Sequence, residues 1–178
     1  MLNSRPLTRF RRSAGIPAAG LLVLAVAGCG GLRPGRMAPD FSLPDLKGSS
    51  VTLSEARGKA VLLSFVATWA APCRLELAQM SVIRRKYGEA GLTLMAVTVG
   101  EEPGQVGNFF RLNPVSFTVL VGDEAAANSY FGRDDVKLPF TLLLDARGRI
   151  LDLFAGYQTA EDLTSALEKA LIPAEKAQ

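Results

Sequence analysis

The stretch Trp69-Ala70-Ala71-Pro72-Cys73-Arg74-Leu75-Glu76 follows an apolar run, residues 60–66, and opens a segment with helical periodicity. An apolar strand that gives way to small residues and proline, and then to a helix, places a turn at the mouth of an α/β sheet. At such a turn the N-terminal amides of the helix face outward. A cysteine beside them can become reactive because they lower the pKa of its thiol. The stretch therefore predicts both a fold class and the place where chemistry would occur.

Strand and helix patterns alternate on both sides of this turn. Residues 60–66 and 92–99 are almost continuously apolar, which is typical of central strands covered on both faces. Between them, apolar and functional side chains recur in steps of three and four, which predicts a helix that two following glycines end. Cys73 and Glu76 belong to one stripe of that helix, so we expect them to share a face.

Two hairpins and three further helices complete the predicted domain. The hairpins are predicted over residues 37–53 and 137–155, each around a turn that contains glycine. The other predicted elements are a helix over 103–112, a strand over 117–121, a helix over 124–131 and a last amphipathic helix that starts at the capping segment 159–162 and ends at Leu171. Strands that alternate with helices and end in a hairpin predict one α/β domain.

The turn and the start of the domain resemble the TlpA/ResA family of bacterial extracytoplasmic thiol-disulfide proteins, which are thioredoxin-fold (redoxin) proteins. In that family Trp-Cys-x-Pro-Cys is followed by a basic residue and, three positions after the second cysteine, by a glutamate. Trp69, Pro72, Cys73 and Glu76 match this pattern, but Ala70 stands where the family has its attacking cysteine. Residues 38–41, Ala-Pro-Asp-Phe, match the family's first segment.

The resemblance implies a fold and boundaries. We expect an α/β thioredoxin fold, with a central mixed sheet flanked by helices and an N-terminal β-hairpin extension, over residues 37–172. Residues 173–178 would then form a tail.

The resemblance also implies roles for the residues of the turn. Cys73 would occupy the resolving position, and Glu76 would be a partly buried acid-base group that tunes the active-site thiols. Pro139, after Leu138, would be the fold's cis-proline, and Trp69, Ala70, Pro72, Leu138 and Pro139 would form the active-site rim, which Phe140 would make more apolar.

Each of these residues also has a structural interpretation. Cys73 could be a small buried thiol that only packs, and Glu76 could be a first-turn glutamate that the helix dipole favours and that points to water. Pro139 could be an edge-strand proline. Trp69 could pack, and Pro72 could start the helix at position N1.

The N-terminal residues have the build of an export signal. Four arginines precede an apolar run over residues 14–27, which is shorter than the ~20 residues of a membrane span. The ending Val26-Ala27-Gly28-Cys29 resembles the bacterial lipobox, so we predict a signal peptide over 1–28 and a lipidated Cys29 with a tether over 29–36. The residue after the predicted lipidation site, Gly30, weakly favours anchoring in the outer membrane over the inner membrane. The alternative is an ordinary secretory signal that leaves Cys29 free or in a disulfide with Cys73.

Composition excludes several function classes. The chain has 178 residues, 48% hydrophobic and 21% charged, which suits one globular domain. Its net charge of +3 falls to −1 once the four arginines of the first 28 residues are subtracted, so no nucleic-acid groove is expected. Histidine is absent, which excludes a histidine base and histidine-ligated zinc or haem. We expect no metal and no cofactor, and we expect the acidic pairs 101–102, 123–124 and 134–135 to be solvated.

Three functional hypotheses follow. The first is a membrane-anchored, monomeric thiol-disulfide protein that has lost dithiol exchange or keeps monothiol chemistry at Cys73, with protein thiols or disulfides, for example of apocytochrome c, as partners. The second is a binding module that holds a peptide on the apolar rim without catalysis. The third is a redoxin-type thiol peroxidase.

Overall fold

The computed structural model describes residues 31–131 and 137–175. The predicted signal peptide, the lipidation site Cys29, the acidic pair 134–135 and the last three residues of the predicted tail lie outside the described residues. The strands are β1 (Ser42–Pro44), β2 (Ser50–Thr52), β3 (Ala60–Val66), β4 (Leu92–Thr98), β5 (Thr118–Val121), β6 (Phe140–Leu144) and β7 (Ile150–Ala155), and the helices are α1 (Ala71–Tyr87), α2 (Pro103–Leu112), α3 (Glu124–Phe131) and α4 (Ala160–Glu175).

Five strands form one mixed sheet in the order β5-β4-β3-β6-β7. Strands β3, β4 and β5 are parallel, whereas β6 is antiparallel to β3 and β7 is antiparallel to β6. Strands β1 and β2 form a separate antiparallel hairpin. The predicted architecture, a mixed sheet with flanking helices and an N-terminal hairpin, is confirmed.

Two apolar layers cover the sheet, which explains why its central strands are apolar almost throughout. Helices α1, α2 and α4 pack on one face, where Met80, Phe110 and Leu163 are buried. Helix α3 and the hairpin pack on the other face, where Tyr130 and Leu43 are buried. Strand β3 lies between β4 and β6 within the sheet, and the two layers cover both of its faces. Its residues from 61 to 66 are therefore all buried.

Local sequence signals account for the ends of the helices. Helix α1 starts after Ala70, whose backbone is extended, and Pro72 lies at its second position rather than at N1 as predicted. In α4, Thr159 Oγ1 accepts a hydrogen bond from the Asp162 amide (3.2 Å), and the Asp162 carboxylate accepts one from the Thr159 amide (3.1 Å). This reciprocal cap fixes the helix start where the sequence predicted it.

The structure differs from the prediction in a few boundaries. The first strand begins at Ser42 because Met37 forms an isolated bridge with Arg149 instead. A short 3₁₀ helix, Leu53–Ala56, follows the hairpin and was not predicted. Helix α4 ends at Glu175, beyond the predicted end at Leu171, and includes Pro173 in its last turn. Within the described ranges, no helix combines the length and the apolar character needed to cross a membrane.

Candidate functional site

The turn between β3 and α1 lies at the carboxyl end of the parallel strands, where α/β sheets commonly bind ligands. Its conformation is held from both sides. Thr68 donates its amide to Glu101 Oε2 (2.7 Å) and its hydroxyl to Glu101 Oε1. Arg74 Nη1 donates to the carbonyl oxygens of Thr68 (3.1 Å) and Trp69 (3.0 Å). We call these four residues, Thr68, Trp69, Arg74 and Glu101, the turn clamp.

The environment of Glu101 differs from the sequence prediction. The acidic pair 101–102 was expected to be solvated, and Glu102 is exposed, but Glu101 is half-buried and binds the turn. Its carboxylate follows β4, and parallel strands end at the same edge of the sheet, so it comes within reach of the residues that follow β3.

Ala70 and Cys73 occupy the two positions of a dithiol motif on the first turn of α1. Ala70 is the helix N-cap, and its side chain is half-buried against the core. Cys73 is fully buried, with 0% of its surface exposed. Burial raises the pKa of the Cys73 thiol, the nearby carboxylate of Glu101 raises it further, and a backbone hydrogen bond at Ala67 opposes them. The thiol is therefore protonated and shielded in the folded chain.

Glu76 lies one helical turn after Cys73 and is also fully buried, which excludes the alternative interpretation of a first-turn glutamate that points to water. Its Oε1 atom accepts a hydrogen bond from Ser64 Oγ (2.9 Å) and contacts the hydroxyl of Thr141. Its Oε2 atom accepts the amide of Gln158 (3.0 Å). Burial raises the pKa of this carboxyl, although the three hydrogen bonds act in the opposite direction.

The contacts around Oε1 indicate which protonation state fits. Ser64 Oγ and Thr141 Oγ1 are 2.7 Å apart, so three oxygens form a closed ring of three hydrogen-bonding contacts. Three O–H···O contacts need three protons, and the two hydroxyls supply two. A proton on Glu76 Oε1 completes the ring. The geometry therefore favours a protonated Glu76, and the rise of its pKa on burial acts in the same direction.

The rim combines an exposed aromatic residue with a buried proline. Trp69 is 72% exposed, and the Leu138–Pro139 peptide bond is cis. The amide of Gly156 donates to the carbonyl oxygen of Pro139 (2.8 Å), and the next residue, Tyr157, is exposed. Phe140 does not join this rim, because its ring packs against Phe131 on the other face of the sheet, with ring centroids 5.3 Å apart.

The site therefore presents an apolar surface above a shielded thiol and a neutral carboxyl. In the part of the chain that the structure describes, no three histidine, cysteine, aspartate or glutamate side chains are grouped so as to hold a metal ion.

The fold and the position of this site define a thioredoxin-like protein, and comparisons with known proteins agree. The sequence matches the AhpC/TSA family over residues 34–167. It is 36% identical over 135 residues to the thiol-disulfide oxidoreductase ResA of Geobacillus kaustophilus, which covers 75% of this chain and 76% of that protein. It is 33% identical over 141 residues to the thioredoxin-like protein YneN of Bacillus subtilis, which covers 78% and 81%.

A solved structure shows the same fold. A thiol:disulfide interchange protein DsbE from Chlorobium tepidum superposes with a TM-score of 0.71 at 31% identity, over 79% of this chain and 99% of that one. The chain belongs to the AhpC/TSA family and is a TlpA/ResA-like thioredoxin-fold protein within it.

The partners of Glu76 and the turn clamp were not predicted from the sequence. A signal for the first set was present: Ser64 is a polar residue within apolar β3, Thr141 is one within apolar β6, and the two are direct partners in the sheet register. Thr68 and Glu101 carried no such signal, because they are 33 residues apart and their meeting depends on the strand order.

Proposed function

We propose that this chain is a membrane-anchored, extracytoplasmic thioredoxin-like protein that has lost dithiol exchange and that binds a polypeptide segment on its rim. The observation that carries the proposal is the burial of Cys73, 0% exposed, below a position that holds Ala70 instead of a thiol. Thiol-disulfide exchange begins with a thiolate that attacks a disulfide sulfur. Ala70 has no sulfur, and Cys73 is shielded and protonated.

The rim remains suitable for binding. Trp69 places a large amphipathic side chain in solvent, and such residues dominate the energy of protein interfaces. The turn beneath it is held by the clamp, so the rim does not need to be ordered on binding. Two of the relatives named above, ResA and DsbE, are thiol-disulfide proteins. The partners we propose are therefore proteins that carry thiols or disulfides, such as apocytochrome c, bound by a monomer of this chain.

A second candidate is monothiol chemistry at Cys73, and one observation favours it. A carboxyl group in the core is costly unless every partner is present, and packing alone does not require one. Glu76 nevertheless lies buried one turn from Cys73. A local opening of the first turn of α1 would let the Cys73 thiolate attack a disulfide, form a mixed disulfide and release the other sulfur as a thiolate. The same thiolate would be needed for a peroxidase.

The binding hypothesis is tested by calorimetry with a cysteine-containing peptide from a candidate partner and the purified full chain. Trp69→Ala should weaken binding by about tenfold, as expected for loss of an aromatic anchor. Leu112→Ala is the matched control, because Leu112 is 70% exposed but lies at the far end of α2. Equal affinities for both variants would contradict the rim as the binding site.

Redox assays on the same preparations separate the candidates. The chain should not catalyse the dithiol-driven reduction of a protein disulfide above background. A mixed disulfide at Cys73, seen by mass and absent in Cys73→Ser, would favour monothiol exchange. Peroxide consumption that depends on Cys73 would favour the peroxidase.

The proposed anchor has its own test. The chain expressed in a bacterium should partition with membranes and carry a lipid mass on Cys29, and Cys29→Ser should abolish the modification. A soluble mature chain that begins at another residue would contradict the lipoprotein proposal.

A further inference from the structure

Three backbone segments meet at the end of the sheet opposite the turn between β3 and α1. They are the N-terminal residues 33–38, the loop 57–59 before β3 and the turn 145–150 between β6 and β7. Backbone hydrogen bonds join them: the Gly35 amide donates to Ile150 O (2.7 Å), the Ala38 amide to Gly148 O (3.0 Å) and the Gly58 amide to Ala146 O (2.8 Å). The segments therefore form one ordered surface.

This surface is strongly basic. It carries six exposed cationic side chains, which we call the basic face: Arg33, Arg36, Arg57, Lys59, Arg147 and Arg149. The three segments contain one acid, Asp145, whose Oδ1 accepts the backbone amides of residues 147 and 149, both at 2.8 Å. Among the described residues, none of the six cations lies within ion-pair distance of a carboxylate. Five of them are next to no helix end, and Arg57 is the C-terminal cap of the short 3₁₀ helix Leu53–Ala56.

Acidic residues collect at the other end of the molecule. Four exposed or half-buried acids follow the carboxyl ends of β4 and β5, and two begin α4: Glu101, Glu102, Asp123, Glu124, Glu161 and Asp162. The near-zero net charge of the domain therefore hides a separation of charge along the sheet. A body with this distribution is oriented by any extended anionic surface.

We propose that the basic face rests on the anionic phospholipid head groups of a bilayer and so directs the Trp69 rim away from the membrane. The place where the chain enters the domain identifies this partner. Arg33 lies four positions after Cys29, the residue that the proposed anchor would attach to the bilayer. Basic residues next to a membrane-associated segment bind anionic lipids. The orientation goes beyond the proposed anchor, which would tether the domain but leave it free to rotate.

The test measures binding of the mature chain, residues 29–178 without an acyl chain on Cys29, to vesicles of phosphatidylcholine, with and without phosphatidylglycerol. The anionic lipid should strengthen binding by about tenfold or more at low salt, and the gain should fade as salt shortens the screening length. The combined variant Arg57→Gln, Lys59→Gln, Arg147→Gln and Arg149→Gln should lose this gain. As a matched pair of single changes, Arg149→Gln should weaken binding several-fold, and Lys137→Gln, exposed at the other end, should not.

Trp69, the one tryptophan of the chain, reports the orientation directly. Its fluorescence should not be quenched by brominated lipids when the protein is bound to the vesicles. Quenching, or a gain from phosphatidylglycerol that survives the combined variant, would overturn the proposal. Equally tight, salt-dependent binding of duplex DNA that the same variant abolishes would show a general polyanion site instead. Neither readout requires an acylated Cys29 or a peptide on the rim, so the outcome is independent of the proposed function.

Discussion

Glu76 is the residue at which the energetics of this site are most visible. An ionised carboxylate in the core would cost several kcal/mol, and the ring that it forms with Ser64 and Thr141 is complete when Glu76 carries a proton. Burial raises the pKa of Glu76, so the folded chain holds this proton more tightly than the unfolded chain does. The chain thus combines a buried acid at position 76 with an alanine at position 70.

This linkage predicts how stability depends on pH. Since the folded-state pKa of Glu76 is raised, its contribution is fully present below the unfolded pKa of ~4.3 and is lost as pH rises through the folded pKa, with a slope of at most about 1.4 kcal/mol per pH unit. Urea unfolding from pH 4 to 9 should show this loss for the wild type. Glu76→Gln should remove it, and Glu124→Gln, an exposed control, should retain it. A wild-type profile that Glu76→Gln leaves unchanged would refute the assignment.

Replacing Glu76 by alanine tests the ring itself. Glu76→Ala leaves two buried hydroxyls and the Gln158 amide with one partner fewer, and each such loss costs about 1–3 kcal/mol. The variant should therefore be much less stable in urea than Glu76→Gln, whose amide still offers a donor and an acceptor. Equal stabilities of the two variants would mean that the hydrogen bonds contribute nothing.

The thiol of Cys73 should react only when the structure opens. It is fully buried and its pKa is raised by that burial, so a thiol reagent at neutral pH should modify the folded Cys29→Ser variant slower than the unfolded chain by a factor on the order of a hundred or more. The rate should rise with urea in parallel with unfolding. Rapid labelling of the folded chain would instead support the monothiol candidate.

At the level of elements, we predict that the turn clamp orders the turn between β3 and α1. Glu101→Ala removes both hydrogen bonds to Thr68, so it should speed hydrogen exchange of the Thr68 amide and destabilise the fold by about 1–3 kcal/mol. Glu102→Ala is a matched control, because the neighbouring glutamate is exposed. In a double-mutant cycle, Glu101→Ala and Thr68→Val should be less than additive. Additive effects would mean that the two side chains are not coupled.

The elements themselves were predictable from sequence because their signals are local. Three examples are the apolar run of β3, the stripe of α1 and the Thr159–Asp162 cap. The residues that form each of these signals are close together in the sequence, and each predicted element was found. The environment of Glu76 was not predictable. Its partners come from β3, β6 and the segment before α4, so they are separated by up to 82 residues along the chain. Helix spacing placed Glu76 beside Cys73 but did not indicate whether it faces water or the core.

At the scale of the whole molecule, the question is whether the fold still holds the geometry of a dithiol site. The family, the sheet order and the cis peptide bond before Pro139 are those of a thioredoxin-like protein. Position 70 departs from the family's dithiol motif by one side chain on a half-buried helix cap, so a cysteine there adds a single sulfur atom. The rest of the scaffold can therefore be tested by restoring that side chain.

Ala70→Cys should create a pair of thiols three positions apart, which lie on the same face of a helix. The variant should form an intramolecular disulfide between Cys73 and the new thiol, acquire a reduction potential and catalyse dithiol-driven reduction of a protein disulfide. The new thiol should react first, because it lies at the helix N-terminus, where its pKa is lowered. Ala71→Cys is the control: it adds the same thiol one residue later, two positions from Cys73, where side chains do not face each other. Both variants could fold while the two thiols of Ala70→Cys neither form a disulfide nor support catalysis. In that case more of the site than position 70 differs from a dithiol site, and binding without exchange is a property of the whole scaffold.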